Sequence, residues 1–86
     1  MSDFVELINS ETDPINGNLR LKYGSGADDP QPFILTLTPS YVAREMQQNM
    51  PIPHQDVVDY ARRNKERLRI MAQIAKSGRL NAQLLE

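Results

Sequence analysis

Arg62, Arg63, Lys65, Arg67, Arg69 and Lys76 crowd into residues 57–76, which hold six of the ten basic side chains of this 86-residue chain. Guanidinium and ammonium groups at that density could neutralise phosphates, giving sequence-independent and salt-dependent attraction to a nucleic acid. Wound at about 100° per residue, they fall into two rows. Arg62, Lys65, Arg69 and Lys76 follow one margin of an apolar stripe, and Arg63 and Arg67 follow the other, interleaved with Ile70 and Ile74. A solvated helix whose basic stems cover the edges of the core gives the same pattern. Asp59 with Arg62 or Arg63, and Glu66 with Arg69, then stand at pairing distance along the helix. No helix-turn-helix, zinc finger or aromatic stacking pattern accompanies the basic residues, so nucleic-acid binding is the second reading.

Ile70 and Ile74 lie outside the main stripe. Two explanations compete. A helix covered by both a sheet and another helix buries more than one face. The alternative is an exposed apolar strip that meets a partner or a second copy of the chain. Arg63 and Arg67 beside it would form a charged rim, in keeping with arginine's enrichment at interfaces.

Catalytic chemistry finds little support. His54, the one histidine, stands between Pro53 and Gln55 and suits a helix start. Ser10, Ser25, Ser40 and Ser77 have no nucleophile-elbow context. Asp13, Asp28 and Asp29 match no calcium-loop spacing, and consecutive acids in a Gly/Pro loop are expected to be solvated. Gly24-Ser25-Gly26 is not followed by the Gly-Lys-Ser/Thr of a phosphate loop. With no cysteine, thiolate zinc sites, cysteine nucleophiles and disulfides are all absent. No enzyme activity, cofactor, metal site or small-molecule substrate is expected, since a chain this size has little room for a deep pocket.

The elements that would position these residues follow from pattern. Phe4–Ile8 reads as a short strand, and Asp13-Pro14 and Asn16-Gly17 punctuate a turn. Leu19-Arg20-Leu21-Lys22-Tyr23 alternates as a half-buried strand, and Phe33-Ile34-Leu35-Thr36-Leu37 suits a pleated surface. Together they predict a β-hairpin around residues 19–37, with Leu19, Leu21, Tyr23, Phe33, Leu35 and Leu37 sharing one face. Thr38-Pro39 starts a helix over 39–48, with Thr38 as N-cap and Pro39 where its missing N–H costs nothing. Pro51-Ile52-Pro53 ends it. A second helix over 55–77 turns Val57, Tyr60, Ala61, Asn64, Leu68, Met71, Ala72 and Ala75 inward, with Asp56 in its first turn and Gly78 as its stop. Residues 57–76 are read as one unbroken rod. Residues 79–86 alternate at Leu80, Ala82 and Leu84 and fit either a strand or a short helix.

Composition bounds the rest. Apolar residues make up 40% and charged residues 24%, a globular balance. Net charge is −1, yet residues 1–59 hold three basic and nine acidic side chains and residues 60–86 hold seven basic and two acidic. Such asymmetry marks either a nucleic-acid surface or complementary faces of a self-associating protein. Met1-Ser2-Asp3 is not a secretory start and no apolar run is long enough to span a membrane, so a cytoplasmic location is expected. Residues 1–86 are expected to form a single α+β domain: a small antiparallel sheet packed against two helices. The predicted role is a non-enzymatic accessory module, of the kind small bacterial and phage proteins supply. It would self-associate or dock on a protein partner through its long helix.

Overall fold

A computed structural model describes residues 4–86; Met1-Ser2-Asp3, read above for a secretory start, lies outside the described residues. The chain is an α+β protein, a four-stranded sheet packed with three helices. In chain order these are β1 (Glu6–Thr12), β2 (Leu19–Gly24), β3 (Phe33–Leu37), α1 (Pro39–Glu45), α2 (His54–Arg63), α3 (Lys65–Ser77) and β4 (Ala82–Leu85). The sheet order follows the sequence, β1-β2-β3-β4.

The hairpin of β2 and β3 forms as its alternation predicts, with Leu19 opposite Leu37, Leu21 opposite Leu35 and Tyr23 opposite Phe33. These six side chains are at most 5% exposed and form the floor of the core. Val42, Val57, Leu68 and Ala72 close it from the helical side. The intervening positions point to the opposite face, where Arg20, Thr36 and Leu84 stand in one row and Lys22, Ile34 and Ala82 in another. The helices therefore cover one face of the sheet only.

β1 runs further than its apolar letters suggest. It reaches Thr12, and its register with β2 shifts between Leu7 and Asn9, leaving Ile8 as a bulge. Backbone pairing carries the polar Asn9–Thr12 run as strand, because an edge strand in water has no apolar face to fill. β4 resolves the ambiguous tail as a strand parallel to β3, so the sheet is mixed and not wholly antiparallel. The alternating Leu80, Ala82 and Leu84 are exposed, and Leu85 turns inward at 9% exposure.

The larger correction concerns the rod. Residues 54–77 form two helices that meet at Asn64, whose backbone (φ −111°, ψ 26°) is not helical. Both the backbone N–H and the Nδ2 of Asn64 donate to the Tyr60 carbonyl, at 3.0 and 2.9 Å. A side-chain amide competing for a helical acceptor pulls its own residue out of line. Ladder bonding resumes at once, with the Leu68 N–H on the Asn64 carbonyl at 2.9 Å. The inward stripe keeps its phase across the joint: Val57, Tyr60, Leu68, Ala72 and Ala75 are all buried.

α1 ends at Glu45, three residues short of its predicted limit, because Gln47 takes a left-handed backbone (φ 56°). At the end of α3 the left-handed residue is Arg79 (φ 67°), while Gly78 keeps a negative φ of −81°. Both ends share one hydrogen-bond scheme. The Gln48 N–H reaches the Ala43 carbonyl and the Gln47 N–H the Arg44 carbonyl; the Leu80 N–H reaches Ala75 and the Arg79 N–H reaches Lys76. This double closure normally places glycine at the left-handed position, and an L-residue there pays for its Cβ. Gln47→Gly and Arg79→Gly are each expected to raise stability by roughly 0.5–1 kcal/mol, relief of strain outweighing glycine's greater unfolded-state freedom. Urea denaturation midpoints would register the gain; a lower midpoint in both variants would show that the side chains are needed where they are.

Candidate interaction surface

The outward row of α3 carries the residues proposed to meet a partner. Leu68, Ala72 and Ala75 face the sheet at 1%, 0% and 8% exposure, while Ile70 and Ile74 on the far side are 45% and 68% exposed. The broader buried face that would have absorbed these two isoleucines is not present among the described residues. Arg67 lies about one turn before Ile70 on α3, and Arg63 closes the last turn of α2. The break at Asn64 thus places the two arginines on different helices, and the continuous rod expected over residues 57–76 does not form.

Both arginines instead border a polar cleft of about 330 Å³ shared with Glu45, Asp56, Asp59 and Tyr60. Its hub is the Glu45 carboxylate at the end of α1. The Arg67 guanidinium approaches Glu45 Oε1 at 3.5 Å, and the Tyr41 and Tyr60 hydroxyls donate to the same oxygen at 3.4 Å each. The two tyrosine rings pack edge to face, 6.1 Å apart. Burial, together with Tyr41 and the Glu45 charge, raises the pKa of the Tyr60 hydroxyl, which keeps it a donor. The contacts are long and the Arg67–Glu45 pair is half in water, so the pair contributes about 0–1 kcal/mol. Their effect is positional: Arg67 is steered towards α1 beside the isoleucines.

The other basic row divides in two. Arg69 is committed inside the molecule: it binds Glu66 at 2.6 Å, the Gln73 Oε1 at 2.8 Å and the Val5 carbonyl at 3.3 Å, and its guanidinium covers the Phe4 ring at 4.5 Å. That arrangement lowers the Glu66 pKa and raises that of Arg69 through their mutual hydrogen bond. Lys76 donates to the Gln31 carbonyl at 2.6 Å and lies 3.4 Å from Asp29. Arg62 and Lys65 are exposed and line a second cleft, of about 310 Å³, between β1 and α2. The expected Glu66–Arg69 pair is present, whereas Asp59 accepts a hydrogen bond from Gln55 at 3.0 Å.

Of the loop acids, Asp28 is exposed as expected, whereas Asp29 and Asp13 are held by backbone N–H groups. Asp29 accepts N–H bonds from Ser25 and Gln31 at 2.9 and 2.8 Å, and these, with the nearby Lys76, hold its pKa down to about 2. Asp13 accepts from the Ile15 N–H and ties off the β1–β2 turn. His54 opens α2 and its Nε2 sits 3.0 Å from the Thr12 hydroxyl, linking that helix to the end of β1. No cluster of three metal-ligating side chains occurs among the described residues, and no helix there is long and apolar enough to cross a membrane.

Sequence reasoning missed the Glu45 hub, the hydrogen-bonded Asp29 and the cleft beside β1. The signal for Asp29 was its spacing: an Asp four residues after a Ser and two before a Gln can accept both backbone N–H groups of a loop. Glu45 and the cleft depend on contacts between distant elements and carry no local mark. No protein-family model, curated protein or solved structure matches the chain.

Proposed function

We propose that this chain is a small non-enzymatic interaction module of the cytoplasm that self-associates, or docks on a protein partner, through the outer face of α3. Ile70 and Ile74 are the apolar anchors, and Arg63 and Arg67 orient the approach from the cleft above them. The observation that carries this reading is the 68% exposure of Ile74 in line with a 45% exposed Ile70. Small domains have limited cores, and burying such a strip against a second surface is the ordinary route to further stability. Its self-associating form has a direct test. Sedimentation at rising concentration is expected to show a growing mass for the natural sequence and a constant monomer mass for Ile70→Asp/Ile74→Asp, with unchanged circular dichroism. Equal masses for the two at every concentration would remove self-association through this strip.

The competing reading is phosphate contact by the opposite basic row. Arg62 and Lys65 favour it by their exposure, and Arg69 and Lys76 weaken it because internal acceptors already hold them. A phosphate binder loses affinity steeply as salt rises. A salt titration against DNA and RNA separates the two readings.

A further inference from the structure

The cleft between β1 and α2 joins the two cations of the phosphate reading to an apolar surface that neither reading uses. Its floor is aliphatic: Leu7 and Leu21 come from the sheet, and Val58 and Ala61 from α2. No carboxylate lines it among the described residues. The Tyr23 ring, also in the lining, stays neutral because burial pushes its hydroxyl up to about 12. Two cations stand on the helical rim, Arg62 in the last turn of α2 and Lys65 at the start of α3. Neither forms a salt bridge among the described residues, unlike Arg20, Arg67, Arg69 and Lys76. Across from them Ser10 and Thr12 of β1 line the opposite wall, the Thr12 hydroxyl being bonded to His54. The volume of about 310 Å³ lies at the small end of the roughly 300–1,000 Å³ range of ligand sites.

We propose that this cleft binds an aliphatic carboxylate, its chain laid on the Leu7–Leu21–Val58–Ala61 floor and its headgroup held between Arg62 and Lys65. Charge decides the class of occupant. An apolar floor alone would accept any greasy molecule, but two rim cations with no carboxylate among the described lining residues select an anion and repel an amine. The floor selects a chain, because each methylene removed from water strengthens binding roughly fourfold. A phosphate diester backbone gains from the cations but leaves the floor empty.

Amide NMR titration with sodium decanoate below its micellar concentration is the test. Saturable shifts are expected at Leu7, Leu21, Val58 and Ala61. Octanoate, two methylenes shorter, should bind roughly fifteenfold more weakly. Decyltrimethylammonium, with the same chain and the opposite charge, should leave these residues unmoved. Arg62→Glu and Lys65→Glu, both at exposed positions, should each weaken decanoate at least tenfold with the other amide shifts in place. Ala61→Phe, which fills the floor, should abolish the titration. The proposal is overturned if decanoate gives no saturable shift at these residues, if the cationic amphiphile binds as well, or if the shifts centre on Ile70 and Ile74.

Discussion

Leu68→Ala is expected to cost about 2–5 kcal/mol, and Ile74→Ala, six positions further along the same helix, less than about 0.5 kcal/mol. The two side chains are similar in size and differ in what they touch. Leu68 is 1% exposed at the start of α3 and belongs to the cluster built on Phe33, Leu35 and Leu37. Truncation removes buried methyl groups and leaves a void that the sheet beneath is too rigid to fill. Ile74 is 68% exposed and loses almost no packing; alanine's better helix propensity offsets part of what remains. Domains of this size have total stabilities on the order of 5 kcal/mol, so the Leu68 variant should be close to unfolded at room temperature. Urea melts of the two proteins at dilute monomer concentration are the measurement. Comparable losses at both positions would mean that α3 presents a different face to the sheet.

Thr38→Val is expected to cost about 1–3 kcal/mol, and Thr38→Ser much less. Thr38 is 9% exposed where β3 hands over to α1. Its hydroxyl accepts the Tyr41 N–H at 3.1 Å and donates to the Leu85 carbonyl at 2.9 Å, while its own N–H reaches that carbonyl at 3.1 Å. One side chain therefore caps a helix and anchors the last strand. Valine keeps the shape but offers the Tyr41 N–H no acceptor and gives the Leu85 carbonyl one donor fewer; cap loss and an unpaired polar group together set the magnitude. Serine keeps the hydroxyl. Amide exchange in β4 should quicken in the valine variant beyond the global loss, since the strand is clipped there and by the Arg44 guanidinium on the Glu86 carbonyl. Equal exchange and stability for valine and serine would show that the hydroxyl contributes nothing.

What could be read from the letters, and what could not, divides by sequence distance. The β2–β3 hairpin was legible because its alternation and its pairing are local, and the Thr38–Pro39 start because a cap is written in two adjacent residues. The buried stripe of α2 and α3 was legible for the same reason, and so was the oddity of Ile70 and Ile74, which the structure exposes. The joint at Asn64 was not. Asparagine is tolerated within helical periodicity, and the stripe keeps its phase on both sides, so nothing in the spacing betrays the competing amide. The fates of Arg69 and Lys76 were hidden too, because Val5, Gln31 and Asp29 lie more than forty positions away and join them only in the fold. β4 fitted two patterns at once, and its pairing with β3 is decided by tertiary closure.

That closure has a consequence for how safely the chain can exist in a crowded solution. Phe33-Ile34-Leu35-Thr36-Leu37 is an uncharged, proline-free run suited to self-templated stacking, and without β4 it would present an unsatisfied row of peptide groups. The four residues of β4, more than forty positions further along the chain, shield it, arriving only after three helices have been laid down. Until they dock, the nascent molecule carries its own amyloid hazard in the open, and any lesion that loosens Leu85 from Thr38 would uncover it again.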